Sequence, residues 1–274
     1  MKHFLSCLIV VIITSGGIAR SQESPRGASE TLENLFNRLV DNYSDQERIQ
    51  INDSIRTILE GYAKSDSVFR HTFENLRYLG QITSPDSLIK IITWNLVLEN
   101  EPGRYYCFLV RKMGDSKQNK VYPLSAKYNP DTVRTDTTYN TTNWYGALYY
   151  DLRPVIIDGR REWILLGIDY GNAEISRKII EVLDFKDDDS LSLGRNWFIA
   201  DEKKSYRIVL EYASNSMMTL RFRSGTSVIF DHLAPFSSSH QGDHRYYGPD
   251  YSFDTYDFNG TEWKLNLNVD ARNK

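Results

Sequence analysis

The stretch "VIIDGRREWILL" (Val155 to Leu166) decides the fold. Two apolar runs meet at Asp158-Gly159, a pair suited to a type I′ turn whose twist matches two flanking antiparallel strands. It therefore predicts a β-hairpin. Runs of the same kind lie on both sides: "LIKIITWNLVL", "RYYCFLVRK", "WYGALYYDLRPVII", "REWILLGIDY", "RKIIEVLDF", "SYRIVLEYA", "MMTLRFRS" and "TSVIFDHL". Turn signals at Pro102-Gly103, Gly171-Asn172 and Ser224-Gly225 separate them. Strands that follow one another without intervening helices argue for an antiparallel sheet, a sandwich or a barrel-like closure, not for βαβ units.

Within this series the patterns differ. "SYRIVLEYA" alternates, with Tyr206, Ile208, Leu210 and Tyr212 on one face, and predicts a half-solvated strand. "LGIDYG" and "KIIEVLDF" are apolar on both faces and predict more central strands. The polar, Thr/Asn-rich stretch 113–143 predicts an exposed loop or a long, loosely held hairpin.

Upstream the period becomes helical. Leu32, Leu35, Phe36, Leu39, Val40 and Tyr43 fall at helix spacing behind a Ser29 N-cap. Ile51, Ile55, Ile58, Leu59 and Tyr62 repeat the pattern, and "SDSVFRHTFENLRYL" predicts a third short helix. Ser21 to Gly27, polar and with Pro25, reads as an unstructured leader. The expected class is thus α+β and β-rich: a helical N-terminal region over 22–83, then an antiparallel β domain over 84–274.

Residues 1–21 read as a signal peptide. Met1-Lys2-His3 is a short basic start, Phe4 to Ala19 carries no charge, and small residues follow at Gly17-Ile18-Ala19 and Ala19-Arg20-Ser21. Cys7 lies ahead of most of the apolar residues, so lipid attachment there would leave them on the mature chain, which argues against it. Removal of the segment takes Lys2 and Arg20 and leaves 31 basic against 36 acidic side chains, a balance of −5. That surface has no patch suited to nucleic acid, and no later segment is apolar enough to span a bilayer. The expected location is the periplasm or cell surface. Cys107 is then the lone cysteine, set in apolar "YYCFLV", and reads as a small buried hydrophobe.

Known catalytic and cofactor fingerprints are missing: there is no G-x-S-x-G, P-loop, G-x-G-x-x-G after a strand, H-E-x-x-H or C-x-x-C. No cofactor is expected. The polar density concentrates in "HQGDHRYYGPDYSFDTYDF" (His240 to Phe258). His240 and His244 stand four apart, a metal spacing on a helix, but Pro235, Gly242 and Gly248-Pro249 break any helix there. A solvated loop is the expectation. "KDDDS" (186–190) lacks the glycine and glutamate of a calcium loop and reads as a turn. Strand alternation sends Asp254 and Asp257 to opposite faces, which argues against a paired-carboxylate glycosidase site. The weak catalytic candidates are Asp231, His232, Asp250 and Asp254, which could converge only through the fold.

Thirty-five Phe, Trp and Tyr residues, 18 of them tyrosine, serve a core without disulfides and could also present an aromatic surface to protein or carbohydrate. "VIFDHLAP" followed by "YYGPDYSFDTYDFNGTEWKLNLNVDARN" (Tyr246 to Asn273) resembles a family of uncharacterised exported proteins of Bacteroidota. Its pattern runs Y-Y-G-P-D-[FY]-S-[FY]-D and closes on D-V-D-A-R-N, and Asn268 stands here where an acid is usual. The resemblance implies an exported β-rich protein and carries over no site residues. The leading functional expectation is a non-enzymatic binding or envelope-associated module. A periplasmic hydrolase and an assembly factor docking through its helices are the alternatives.

Overall fold

The structure, a computed structural model, describes residues 25–41, 44–114, 118–157 and 159–270. The expected signal peptide with Cys7, Tyr43, Asp158 and the closing residues 271–274 lie outside these. Two helices come first, α1 (Pro25–Val40) and α2 (Asp45–Ala63). Helix α1 begins ahead of Ser29, so Ser29 is an internal residue, and Pro25 to Gly27 are helical instead of a loose leader. A proline is accepted there because first-turn N–H groups have no intrahelical partner anyway. A capping box fixes the start of α2: Ser44 Oγ accepts the Glu47 N–H at 3.3 Å, and Glu47 Oε2 accepts the Ser44 N–H at 3.0 Å.

The third helix does not form. Residues 64–79 are turns and irregular chain, with Asn75 at φ 63°. Val68, Phe73, Leu76 and Leu79 are nonetheless buried. Side chains distant in sequence satisfy the backbone here. The Gln81 amide accepts the Phe73 N–H at 3.1 Å and donates to the Phe73 carbonyl at 2.9 Å, and Lys90 Nζ donates to the His71 carbonyl at 2.7 Å.

The strands run β1 (Gly80–Thr83), β2 (Ile89–Leu96), β3 (Arg104–Arg111), β4 (Lys120–Lys127), β5 (Leu148–Ile157), β6 (Arg160–Asp169), β7 (Ile175–Phe185) and β8 (Leu191–Leu193). After them come β9 (Phe198–Ala200), β10 (Lys203–Ser205), β11 (Arg207–Ala213), β12 (Leu220–Ser224), β13 (Ser227–Pro235), β14 (Tyr247–Phe258) and β15 (Trp263–Asn266). They form three sheets, ordered β1-β2-β3-β4, β11-β7-β6-β5 with β8 beside β7, and β10-β9-β15-β14-β13-β12. Strands β5 and β6 are the expected hairpin: Ile157 faces Arg160, and Gly159 sits at φ 76° in the two-residue connection. Among the described residues pairing is antiparallel except for β15 on β9, a parallel pair that the sequence did not announce. No sheet of the described residues closes into a barrel.

Layering follows from alternation. Leu32, Phe36, Ile55 and Leu59 of the helices pack on Ile92, Trp94, Phe108 and Val110 of the first sheet. The other face of those strands sets Ile89, Ile91, Cys107 and Leu109 against Trp163, Leu165, Ile179 and Leu183 of the second sheet. The far face of the second sheet sets Ile164, Leu166, Ile180 and Val182 against Val228, Phe230, Tyr256 and Trp263 of the third. Strands β6 and β7 are therefore covered on both faces, which is why they read as apolar on both faces.

Two expectations need correction. Strand β4 rises from within 113–143 and pairs with β3 over its full length. The irregular chain after it is not loosely held: Arg177 Nη2 donates to the Pro130 carbonyl at 2.9 Å, Arg207 Nη1 to the Thr137 carbonyl at 2.9 Å, and Tyr139 bridges to Leu193. That chain also covers the polar face of β11, so Arg207 is fully buried and the strand is not half-solvated.

Candidate functional site

Helix α1, the irregular chain before β1, the first sheet and the second sheet meet around a cleft of about 500 Å³. The end of α1 supplies Phe36, Leu39 and Val40; the irregular chain before β1 supplies Arg77, Tyr78 and Leu79. The end of β2 supplies Thr93, Asn95 and Leu96, with Val97 just beyond, and the second sheet supplies Leu148, Tyr149, Tyr150 and Ile168, with Tyr170 after it. Val40, Tyr78, Val97 and Tyr170 are four of the ten large hydrophobic side chains that stand exposed among the described residues. Their convergence on one concavity is what sets the cleft apart, because scattered exposed apolar residues are ordinary.

Its polar inventory is small. The Tyr149 hydroxyl already donates to Glu181 Oε1 at 2.6 Å, and the Tyr150 hydroxyl to the Leu220 carbonyl at 3.0 Å. Thr93 Oγ1 turns to the Tyr149 carbonyl at 3.5 Å. Arg77 has no carboxylate partner among the described residues, and Asn95 lies half-buried nearby. The cleft thus offers an apolar body with one cationic corner.

Behind the second-sheet wall lies a buried charge lattice. Arg177 holds Asp169 at 3.0 Å and Glu211 at 2.8 Å, while Arg207 holds Glu181 at 3.2 Å. Tyr105 donates to Asp169 at 2.8 Å, and Tyr145 to Glu181 at 2.6 Å. Burial, with the neighbouring carboxylates adding to it, pushes the hydroxyls of Tyr105, Tyr145 and Tyr149 up, so they remain donors. Burial also pushes the Glu211 carboxyl up, but bonds from His244 and Arg177 outweigh it and the net direction is down. None of these carboxylates or guanidinium groups lines the cleft.

The residues singled out from sequence fall elsewhere. His232 and Asp254 are brought together, Nδ1 to Oδ2 at 2.7 Å, with Asp254 buried and also accepting the Asn268 N–H at 3.0 Å. The cause is a bulge: the register passes from Asp231↔Phe253 to Leu233↔Pro249, so His232 alone faces residues 250–252. Tyr251 in that bulge has φ 72° and is 96% exposed. Asp250 accepts from the Ser252 hydroxyl at 2.7 Å; that bond first, then the Ser252 N–H and the nearby His232, hold its carboxyl low. Asp231 turns away and accepts the Thr219 N–H at 2.6 Å. None of the four lines the cleft.

His240 and His244 part company. His240 stacks on Tyr246 at 4.1 Å, and His244 Nδ1 meets Glu211 Oε2 at 2.8 Å. Among the described residues no three His, Cys, Asp or Glu side chains group as metal ligands. Asp254 shares a face with buried Tyr256, whereas Asp257 accepts the Thr255 hydroxyl at 2.7 Å on the other. Cys107 is free and buried. "KDDDS" is a turn, closed by Lys186 N–H to the Ser190 carbonyl at 3.0 Å.

Sequence reasoning missed Tyr78, Val97 and Tyr170, since the cleft draws on segments from residue 36 to 170 and no local pattern joins them. The one local signal was Val97, an apolar residue continuing past the end of a strand. No protein-family model, curated protein or solved structure matches the chain. No helix among the described residues is long and apolar enough to cross a membrane.

Proposed function

We propose that the protein is an exported, non-enzymatic binding module that takes an apolar segment of a partner protein, carrying an acidic group, in the cleft between α1 and the first two sheets. The convergence of Val40, Tyr78, Val97 and Tyr170 on one concavity of about 500 Å³ carries this reading. Clefts of that volume with a few placed polar groups are the usual form of a binding site. Carbohydrate fits less well, because a sugar needs many hydrogen-bond partners and the hydroxyls of Tyr149 and Tyr150 are already engaged. Arg77 is placed to meet the acidic group. The signal-peptide pattern of residues 1–21 and the resemblance of the C-terminal third to exported proteins support a periplasmic or surface location. The three stacked sheets are best read as a layered sandwich.

The anionic fluorophore 8-anilinonaphthalene-1-sulfonate has the matching chemistry, a flat apolar body with one negative charge. Native protein should bind it saturably, and Val97→Asp should weaken binding by about tenfold or more, since a buried unpaired carboxylate costs more than one such decade. Ile156→Asp, at another exposed apolar position, should leave it unchanged. Equal binding by both variants and the parent would remove the cleft from consideration.

One observation favours a second reading, a hydrolase: the His232–Asp254 pair, which would orient the imidazole as a general base. Turnover of p-nitrophenyl esters or glycosides that disappears in His232→Gln would support it. Absence of any turnover by the parent protein would leave the pair a structural contact.

A further inference from the structure

A second concavity, of about 460 Å³, opens at the opposite ends of β2 and β6 from the aromatic cleft. Its floor is apolar, with Leu88, Trp163 and Phe185, but its walls are charged. Arg111 and Lys112 come from the end of β3, Arg160 and Arg161 from the start of β6, and Lys186 from the turn after β7. Against these five cations stand Asp184, Asp187 and Asp189. The lining is positive by two, in a chain whose formal charge is −3. Adding the flanking Lys120 and Asp86, which pair with lining residues, leaves that excess unchanged.

The cations differ in how they are held. The Arg111 guanidinium lies 4.3 Å over the Phe185 ring and donates to Asp189 at 2.8 Å, so its plane is fixed. Arg160 meets Asp187 at 3.2 Å, but that carboxylate is 97% exposed and holds it weakly. Lys112 and Lys186 have no carboxylate partner among the described residues. An apolar floor lowers the local dielectric and strengthens whatever charge the cleft receives. Arginine forks with adjacent ammonium groups suit an oxyanion, and a phosphate group brings a charge close to the excess of two.

We propose that this second cleft is an oxyanion site for the doubly charged phosphate group of a ligand. It stands apart from the aromatic cleft and does not depend on the function assigned there. The test is isothermal titration of the full chain with inorganic phosphate at low salt and about pH 8, where the group is doubly charged. Formate serves as the singly charged comparator. Phosphate should bind saturably, and formate at least about tenfold more weakly. The double variant Lys112→Ala/Lys186→Ala removes two cations that pair with no carboxylate among the described residues. It should unfold at the parent's temperature and bind phosphate at least about tenfold more weakly, as expected for two lost charge-assisted contacts. Absence of saturable binding, equal affinity for formate, or unchanged affinity in a folded double variant would overturn the assignment.

Discussion

Arg207 of β11 and Glu181 of β7 face one another in register and bond at 3.2 Å with neither side chain exposed. The same guanidinium donates to the Thr137 and Leu193 carbonyls at 2.9 and 3.0 Å. One buried cation thus joins the second sheet to the irregular chain that covers its edge. Arg207→Ala should cost about 3–5 kcal/mol, because it strands the Glu181 carboxylate in the interior. Urea unfolding would measure the loss. Amide exchange at Tyr206, whose N–H donates to the Thr135 carbonyl at 2.8 Å, should accelerate with it.

Gly194 is tied to that same guanidinium. It sits at φ 93°, and a β-carbon there would run into the Arg207 side chain. Gly194→Ala should destabilise by about 1–3 kcal/mol from backbone strain and more from the clash. In an Arg207→Ala background only the strain should remain. The two substitutions should therefore be less than additive, and a double-mutant cycle in urea reads the difference.

The legible parts of this chain were those governed by local rules. Asp158-Gly159 gave the β5–β6 hairpin through turn chemistry, and apolar residues on both faces of β6 and β7 gave their central place. The phantom third helix shows where such rules fail. Val68, Phe73, Leu76 and Leu79 have helical spacing, yet Gln81 and Lys90 satisfy the backbone of that segment from other elements. The misread face of β11 has the same origin, since Glu181 and Arg177 are 26 and 34 residues from their β11 partners. The His232–Asp254 contact needed a bulge whose three-to-one count appears only once register is known.

Cys107 should be chemically silent in the folded protein. It is 1% exposed between the first and second sheets, and burial pushes its thiol well above the usual range, so little thiolate forms. Maleimide labelling of the Cys107 peptide, followed by mass spectrometry, should be negligible in native buffer and rapid in denaturant. Labelling that tracks the urea unfolding curve would show that this layer opens only with the whole fold. Fast native labelling would mean that the first two sheets separate locally.

Lys90 makes the stability of the helical layer depend on alkaline pH. The residue is 1% exposed, and its ammonium contacts the Tyr62 hydroxyl at 2.8 Å, the His71 carbonyl at 2.7 Å and Thr72 Oγ1 at 3.1 Å, with no carboxylate within ion-pair reach among the described residues. Burial lowers its pKa from 10.5 to about 8. Between these values the unfolded chain holds the proton and the folded chain releases it, so stability rises with pH across that window. Below about pH 8 both states are charged and the full cost of burying the charge applies. The gap between the two values corresponds to about 3 kcal/mol. Lys90→Met carries no such proton. The unfolding free energy of the parent minus that of Lys90→Met should therefore climb by up to about 3 kcal/mol from about pH 7 to about pH 10.5. Tyrosines that ionise in the unfolded chain are common to both proteins and cancel in the difference. A difference that stays flat would mean the amine keeps its proton in the fold, held by its three oxygen partners.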